Sequence, residues 1–209
     1  MKLVPAVAER AYYGMVLPAV NLLVRGGIRP NLITTIGTGI VIASAVCYGA
    51  GEIRWGGFLL LLSGVADTLD GQVARAGKTA TKFGAFYDST LDRVGDGAIF
   101  IGIAAYFLAA PDIAWRNGAL LTCMLAVLGA FLVSYARARA EGLGVDCKVG
   151  IAQRAERIIG LGVPSLLVGA GPRALILEVI VALLALASLV TVVQRFVYVY
   201  RQTEGARAA

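Results

Sequence analysis

Six apolar runs separated by short polar breaks dominate this 209-residue chain, and they restrict its architecture more than any other feature. They fall at 32–52, 55–76, 83–110, 117–137, 154–170 and 174–199. Most approach or exceed the roughly 20 residues that an α-helix needs to cross a hydrocarbon layer. In such a layer every backbone N–H and C=O must be satisfied within its own segment, so the runs are expected to be helices and not open strands. The fifth is the weakest, being short and glycine-rich with Pro164 inside it. Composition agrees: 58% of residues are hydrophobic and 15% charged, against roughly 45–50% and about 25% in soluble domains. The expected fold class is all-α, an integral membrane protein with six transmembrane helices.

Residues 1–30 precede the first run and differ from it. Lys2, Glu9 and Arg10 punctuate an apolar sequence that includes Tyr12, Tyr13 and Met15. A cleavable signal needs an unbroken apolar centre, which Glu9 and Arg10 deny. The segment is expected to be an amphipathic helix lying in the interface, followed by a lead-in to the first span. Pro30 then opens that span, where a missing amide proton costs little. The expected organisation is 1–30 interfacial, 31–201 a six-helix transmembrane catalytic domain, and 202–209 a short cytoplasmic tail.

If residues 1–30 face the cytoplasm and the chain crosses six times, fifteen Lys and Arg residues lie inside. Only Arg54, Arg116 and Arg173 lie outside, with Arg93 within the third helix. That bias follows the positive-inside rule and puts both termini in the cytoplasm. The expected location is the inner (plasma) membrane, with multiple passes.

Several chemistries are excluded at once. Histidine is absent, which removes Ser-His and Cys-His nucleophile pairs and His-ligated metals. Cys47, Cys123 and Cys147 form no CxxC pair and imply neither a disulfide framework nor zinc. The net charge of +6 borders apolar segments, which points to anionic headgroups or phosphate-bearing substrates and not to nucleic acid.

One stretch breaks the rule that ionisable residues avoid the bilayer. Asp67, Asp70, Gly71, Ala74 and Arg75 close the second run, and Gly84, Asp88 and Asp92 open the third. Asp67 and Asp70 are three apart and Asp88 and Asp92 four apart, so each pair shares one helix face. Antiparallel neighbours bring the two faces together, and Gly71, Ala74 and Gly84 leave room for a bulky anion. Four bare carboxylates at one depth would repel strongly. Two divalent ions would neutralise them, and oxygen ligands favour Mg²⁺, Mn²⁺ or Ca²⁺. A metal pair of this kind suits phosphoryl transfer. Asp96 extends the stripe by a turn, as readily a partner of Arg93 as a ligand, and it is assigned no metal.

The spacing D-x-x-D-G-x-x-A-R-x8-G-x3-D-x3-D from Asp67 to Asp92 resembles the signature of the CDP-alcohol phosphotransferases. The resemblance implies that Asp67, Asp70, Asp88 and Asp92 hold two Mg²⁺ or Mn²⁺ ions per site. It implies that Asp92 is also the general base, and that Asp67, Gly71, Ala74 and Gly84 line the CDP pocket with Arg75 on the diphosphate. It further implies a six-helix homodimer whose active site opens to the cytoplasm. CDP-diacylglycerol would be the donor and CMP the leaving group.

A second polar group comprises Ser134, Arg137, Arg139, Glu141, Lys148, Arg154, Glu156 and Arg157. Arg forks bind phosphate oxygens bidentately, so this group suits an acceptor that carries phosphate, or else serves as ordinary positive-inside anchors. Arg139 faces differently from Arg137 and reads as structural. The segments around Ser134–Glu141 and Arg154–Arg157 are similar to those of bacterial phosphatidylinositol-phosphate synthases, with Arg137 where Lys is usual and Ala155 where Pro is usual. That similarity implies that Ser134, Arg137, Arg154 and Arg157 hold the phosphate of inositol 1-phosphate. Glycerol 3-phosphate is the rival acceptor. Outside the enzyme class, intramembrane carboxylates are also a mark of cation transporters.

Overall fold

The computed structural model describes residues 6–113 and 115–204, with side chains of the first helix from Val16 onward. Residues 1–5 of the expected lead-in and 205–209 of the expected tail lie outside the described residues, and so does the placement of both termini.

The described chain is helical, with no strand among its residues. Seven α-helices follow one another: α1 (Ala6–Arg25), α2 (Pro30–Gly49), α3 (Ile53–Ala76), α4 (Lys82–Ala109), α5 (Arg116–Glu141), α6 (Arg154–Val168) and α7 (Leu175–Thr203). A 3₁₀ turn at Pro172–Ala174 leads into α7. The six apolar runs and helices α2–α7 agree to within a few residues, α5 and α7 extending furthest beyond their runs.

Local chemistry sets several of these ends. Pro30 stands at the start of α2, where its fixed φ suits a helix and its lost N–H is no loss. Thr81 caps α4, its Oγ1 accepting the Gly84 N–H at 2.9 Å. The five residues 77–81 therefore turn the chain tightly between α3 and α4. The end of one helix and the start of the next, which carry the acidic motif, are forced side by side.

Helices α3 and α4 both pack on α2, α3 also packs on α6, α4 on α5, and α5 on α7. Their core includes Tyr48, Ile103, Phe107, Leu177 and Val181, all fully buried. Small residues bring backbones into contact, as expected where lipid supplies no hydrophobic drive between helices. A Cβ on Gly57 would lie 2.7 Å from the Gly162 carbonyl oxygen and the Leu166 nitrogen, so α3 and α6 touch backbone to backbone. A Cβ on Gly102 would overlap the Ala45 backbone, which joins α4 to α2 in the same way. The α1 residues Val16 and Val20, one turn apart, pack with Ile33 and Val73 in a separate apolar cluster.

Outward faces remain apolar: Leu121, Met124, Leu128, Leu183, Leu186 and Val193 are all exposed. Three segments are long and apolar enough to cross a membrane, namely Pro30–Gly49, Arg116–Glu141 and Pro172–Thr203. The other helices of the core have a physical reason to differ. Helices α3 and α4 carry the aspartates between them, and α6 is only 15 residues long. The chain has the helical, apolar build of a membrane protein.

Candidate active site

The last turns of α3 and the first turns of α4 bring three carboxylates together. Asp67, Asp70 and Asp88 each present an oxygen, and these atoms lie within 4.8 Å of one another. Unit charges at that separation repel by about 3–4 kcal/mol per pair at an effective dielectric of about 20. Protonation or a bound cation would relieve that repulsion, and the trio has the donor atoms to hold a cation. The lining fits one: Asp88 Oδ1 is buried without a hydrogen-bond partner, and carboxylate oxygens are the ligands that Mg²⁺ and Mn²⁺ prefer. Asp70 is buried and held by α2, where Thr34 Oγ1 donates to Asp70 Oδ2 at 2.6 Å.

Asp92, one turn beyond Asp88, stands apart from this trio and is held by arginines. Arg93 Nη2 lies 3.1 Å from Asp92 Oδ2, and Arg154 Nη1 lies 2.9 Å from Asp92 Oδ1. The same Arg154 nitrogen donates to Asp67 Oδ1 at 2.5 Å. A residue assigned by similarity to the acceptor thus also bridges two carboxylates of the motif.

Asp96 pairs with Arg157, whose Nη2 donates to Asp96 Oδ2 at 2.6 Å, and lies 4.0 Å from Arg154 Nε. The partner of Asp96 is thus Arg157 and not Arg93, the partner that the sequence suggested. Arg93 turns to its neighbour Asp92 instead, leaving Asp96 to neutralise a buried arginine on α6.

Beside the carboxylates opens a cavity of about 1130 Å³. Asp67, Asp88 and Asp92 line it together with Ser134, Arg137, Arg154 and Arg157. All four residues assigned to the acceptor therefore meet in one space. Arg137 Nε pairs with Glu141 at 2.8 Å. Arg157 is more committed, since its Nη1 also donates to the Ala152 carbonyl at 3.0 Å. Arg139 is exposed and does not line the cavity, as its different face predicts.

Asp70, Gly71, Ala74, Arg75 and Gly84 do not line this cavity, and Asp70 and Gly84 neighbour Thr34 and Asn31 of α2. A Cβ on Gly71 would sit 3.3 Å from Arg75 Nη1, so glycine keeps the space beside that guanidinium open. A Cβ on Gly84 would lie 3.1 Å from Thr81 Oγ1 and 3.3 Å from Asn31 Oδ1.

Arg195 was not singled out from sequence, yet it lines the arginine-rich cavity. Its Nε donates to the Val149 carbonyl at 2.9 Å and its Nη1 to that of Val133. The available signal was an arginine embedded in the apolar run 174–199, since a charge inside a spanning segment is a functional marker by default.

Known proteins share this arrangement of sequence and fold. The sequence pattern of the family described as CDP-alcohol phosphatidyltransferase matches residues 28–194. A phosphatidylinositol phosphate synthase of Cutibacterium acnes is 40% identical over 197 residues, covering 90% of this chain and 93% of that protein. The crystal structure of Mycobacterium tuberculosis phosphatidylinositol phosphate synthase with CDP-DAG bound is similar at a TM-score of 0.75 and 32% identity, covering 88% of this chain and 92% of that one. The same Mycobacterium tuberculosis enzyme in complex with manganese and citrate gives a TM-score of 0.76 at 32% identity, covering 88% of each chain.

Proposed function

This chain belongs to the CDP-alcohol phosphatidyltransferase family, and on that premise we propose that it transfers the phosphatidyl group of CDP-diacylglycerol to inositol 1-phosphate, releasing CMP. The observation that carries this reading is one cavity lined both by Asp67, Asp88 and Asp92 and by Ser134, Arg137, Arg154 and Arg157. Relatives named phosphatidylinositol phosphate synthase support the choice of acceptor. Family membership sets the cation-transporter alternative aside.

Asp67, Asp70, Asp88 and Asp92 are the residues that would hold two Mg²⁺ or Mn²⁺ ions, and manganese in the complex of a similar enzyme supports that choice. Such ions, when bound, neutralise the donor diphosphate and the departing CMP oxygen. The chain's own residues do the rest. Asp67, Gly71, Ala74 and Gly84 border the CDP moiety, and Arg75 meets its diphosphate. Ser134, Arg137 and Arg154 grip the acceptor phosphate, with Arg157 completing the positive wall. An inositol hydroxyl oxygen forms the new bond to the phosphatidyl phosphorus as the bond to CMP breaks, and Asp92 takes the hydroxyl proton.

The rest of the reading follows the same family pattern. Residues 31–201 form a six-span catalytic body in the plasma membrane, 1–30 an interfacial helix with its lead-in, and 202–209 a tail. The protein is a homodimer whose site and termini face the cytoplasm, supported by the basic bias of those segments.

The test is direct. Purified protein receives CDP-diacylglycerol, Mn²⁺ and one acceptor at a time, and CMP is quantified. CMP release that depends on inositol 1-phosphate supports the proposal. Release with glycerol 3-phosphate and none with inositol 1-phosphate replaces the acceptor, and no CMP with any acceptor ends the reading.

A further inference from the structure

The segment that delivers Arg154 into the cavity is tied down by a threonine on another helix. Thr191 of α7 is fully buried and does not line the cavity. Its Oγ1 accepts the N–H of Ile151 at 3.1 Å and that of Ala152 at 2.9 Å. Its own proton goes to the Ala187 carbonyl at 2.9 Å. Both acceptor positions and the single donor of the hydroxyl are therefore used.

The approach is close because Gly150 permits it. Its φ of +134° is a backbone state that L side chains rarely adopt, and a Cβ there would collide with Thr191 Cγ2. Neighbouring bonds finish the anchor: Arg195 Nε reaches the Val149 carbonyl, and Arg157 Nη1 reaches that of Ala152. Helix α6 begins at Arg154, and its N-cap residue Gln153 makes no side-chain capping bond. The direction in which the first turn of α6 projects thus depends on contacts from outside the helix.

We propose that Thr191 is a positioning residue for the acceptor, fixing the backbone at Ile151 and Ala152 so that Arg154 and Arg157 stand ready in the cavity. The inference rests on the reading of that cavity as the acceptor site. Thr191 touches no substrate, so its influence passes through the arginines alone. The metal-binding trio belongs to α3 and α4, which Thr191 does not contact through these bonds.

Thr191→Val keeps the shape of the side chain but leaves the buried Ala152 N–H and the part-buried Ile151 N–H without their acceptor. The full chain in detergent is assayed for CMP release with each substrate varied, and for Mn²⁺ binding by electron paramagnetic resonance. The KM for inositol 1-phosphate is expected to rise about tenfold, the equivalent of one buried hydrogen bond, while kcat, the KM for CDP-diacylglycerol and Mn²⁺ affinity stay within about twofold. Thr191→Ser, which keeps the hydroxyl, should restore the parental KM. An unchanged acceptor KM in Thr191→Val overturns the inference. So does a joint loss of Mn²⁺ binding and both substrate affinities, or a failure of serine to rescue. If the parental protein turns over no phosphorylated acceptor, the acceptor reading itself falls and takes this inference with it.

Discussion

Arg154 Nη1 lies 2.5 Å from Asp67 Oδ1 and 2.9 Å from Asp92 Oδ1, so one guanidinium ties α6 to both helices of the acidic motif. Arg154 therefore stands where the carboxylate cluster and the arginine-lined cavity meet. Replacing it with Gln removes the guanidinium proposed to bind the acceptor phosphate and also a competitor for the Asp67 and Asp92 oxygens. The expected result for Arg154→Gln is an acceptor KM raised about 100-fold, as for loss of a charge-assisted pair. Mn²⁺ affinity should hold or tighten. Steady-state kinetics and a Mn²⁺ titration check both, and a loss of Mn²⁺ binding would contradict the assignment.

Asp92 is the aspartate that lines the cavity while standing outside the trio of Asp67, Asp70 and Asp88. In the proposed reaction Asp92 takes the hydroxyl proton, a role that weighs on turnover more than on cation binding. Asp92→Asn is expected to lower kcat by about 10²–10⁴-fold, the range for a lost general base. The KM for CDP-diacylglycerol should move little. If Asp92→Asn kept a tenth or more of parental turnover, another group would have to take the proton.

Thr34 orients Asp70 from the neighbouring helix, donating to Oδ2 and leaving Oδ1 for a cation. A partner that fixes a ligand in this way typically accounts for about 10–100-fold in metal affinity. Thr34→Val should therefore weaken Mn²⁺ binding by that factor, and Thr34→Ser should recover it. Chelation of the parental protein should abolish CMP release, with Mg²⁺ or Mn²⁺ restoring it. Parental Mn²⁺ affinity in Thr34→Val would show that Asp70 needs no such support.

How much of this was legible beforehand depends on the range of the interaction. Asp67, Asp70 and Asp88 could be grouped from sequence because helical spacing and a five-residue turn are local facts. Helices α2–α7 were legible for the same reason, since apolar length alone marks them. Asp96 was misjudged because its partner Arg157 lies 61 positions away, on a helix whose register against α4 is set by packing. Thr34 and Thr191 were passed over because a threonine in an apolar run carries no local sign of the group it will meet. Arg195 did carry such a sign, and its contacts with Val133 and Val149 now explain why α7 tolerates it.

Asp96 and Arg157 form a buried ion pair at 2.6 Å, and each is among the least exposed charged residues described. Burying two charges together is near neutral when geometry is good, but removing one strands the other, at about 3–5 kcal/mol. Asp96→Ala is therefore expected to lower the unfolding temperature by about 10 °C. Asp96→Asn should lower it less, because the amide oxygen can still accept from Arg157. The double substitution of Asp96→Leu with Arg157→Met removes both charges and should regain most of the stability. Its acceptor KM then separates the two parts Arg157 plays: a raised KM in a stable protein assigns it to the positive wall, whereas a parental KM leaves it a purely structural partner of Asp96. An Asp96→Ala protein that melts with the parent would mean that the buried guanidinium finds another counter-charge.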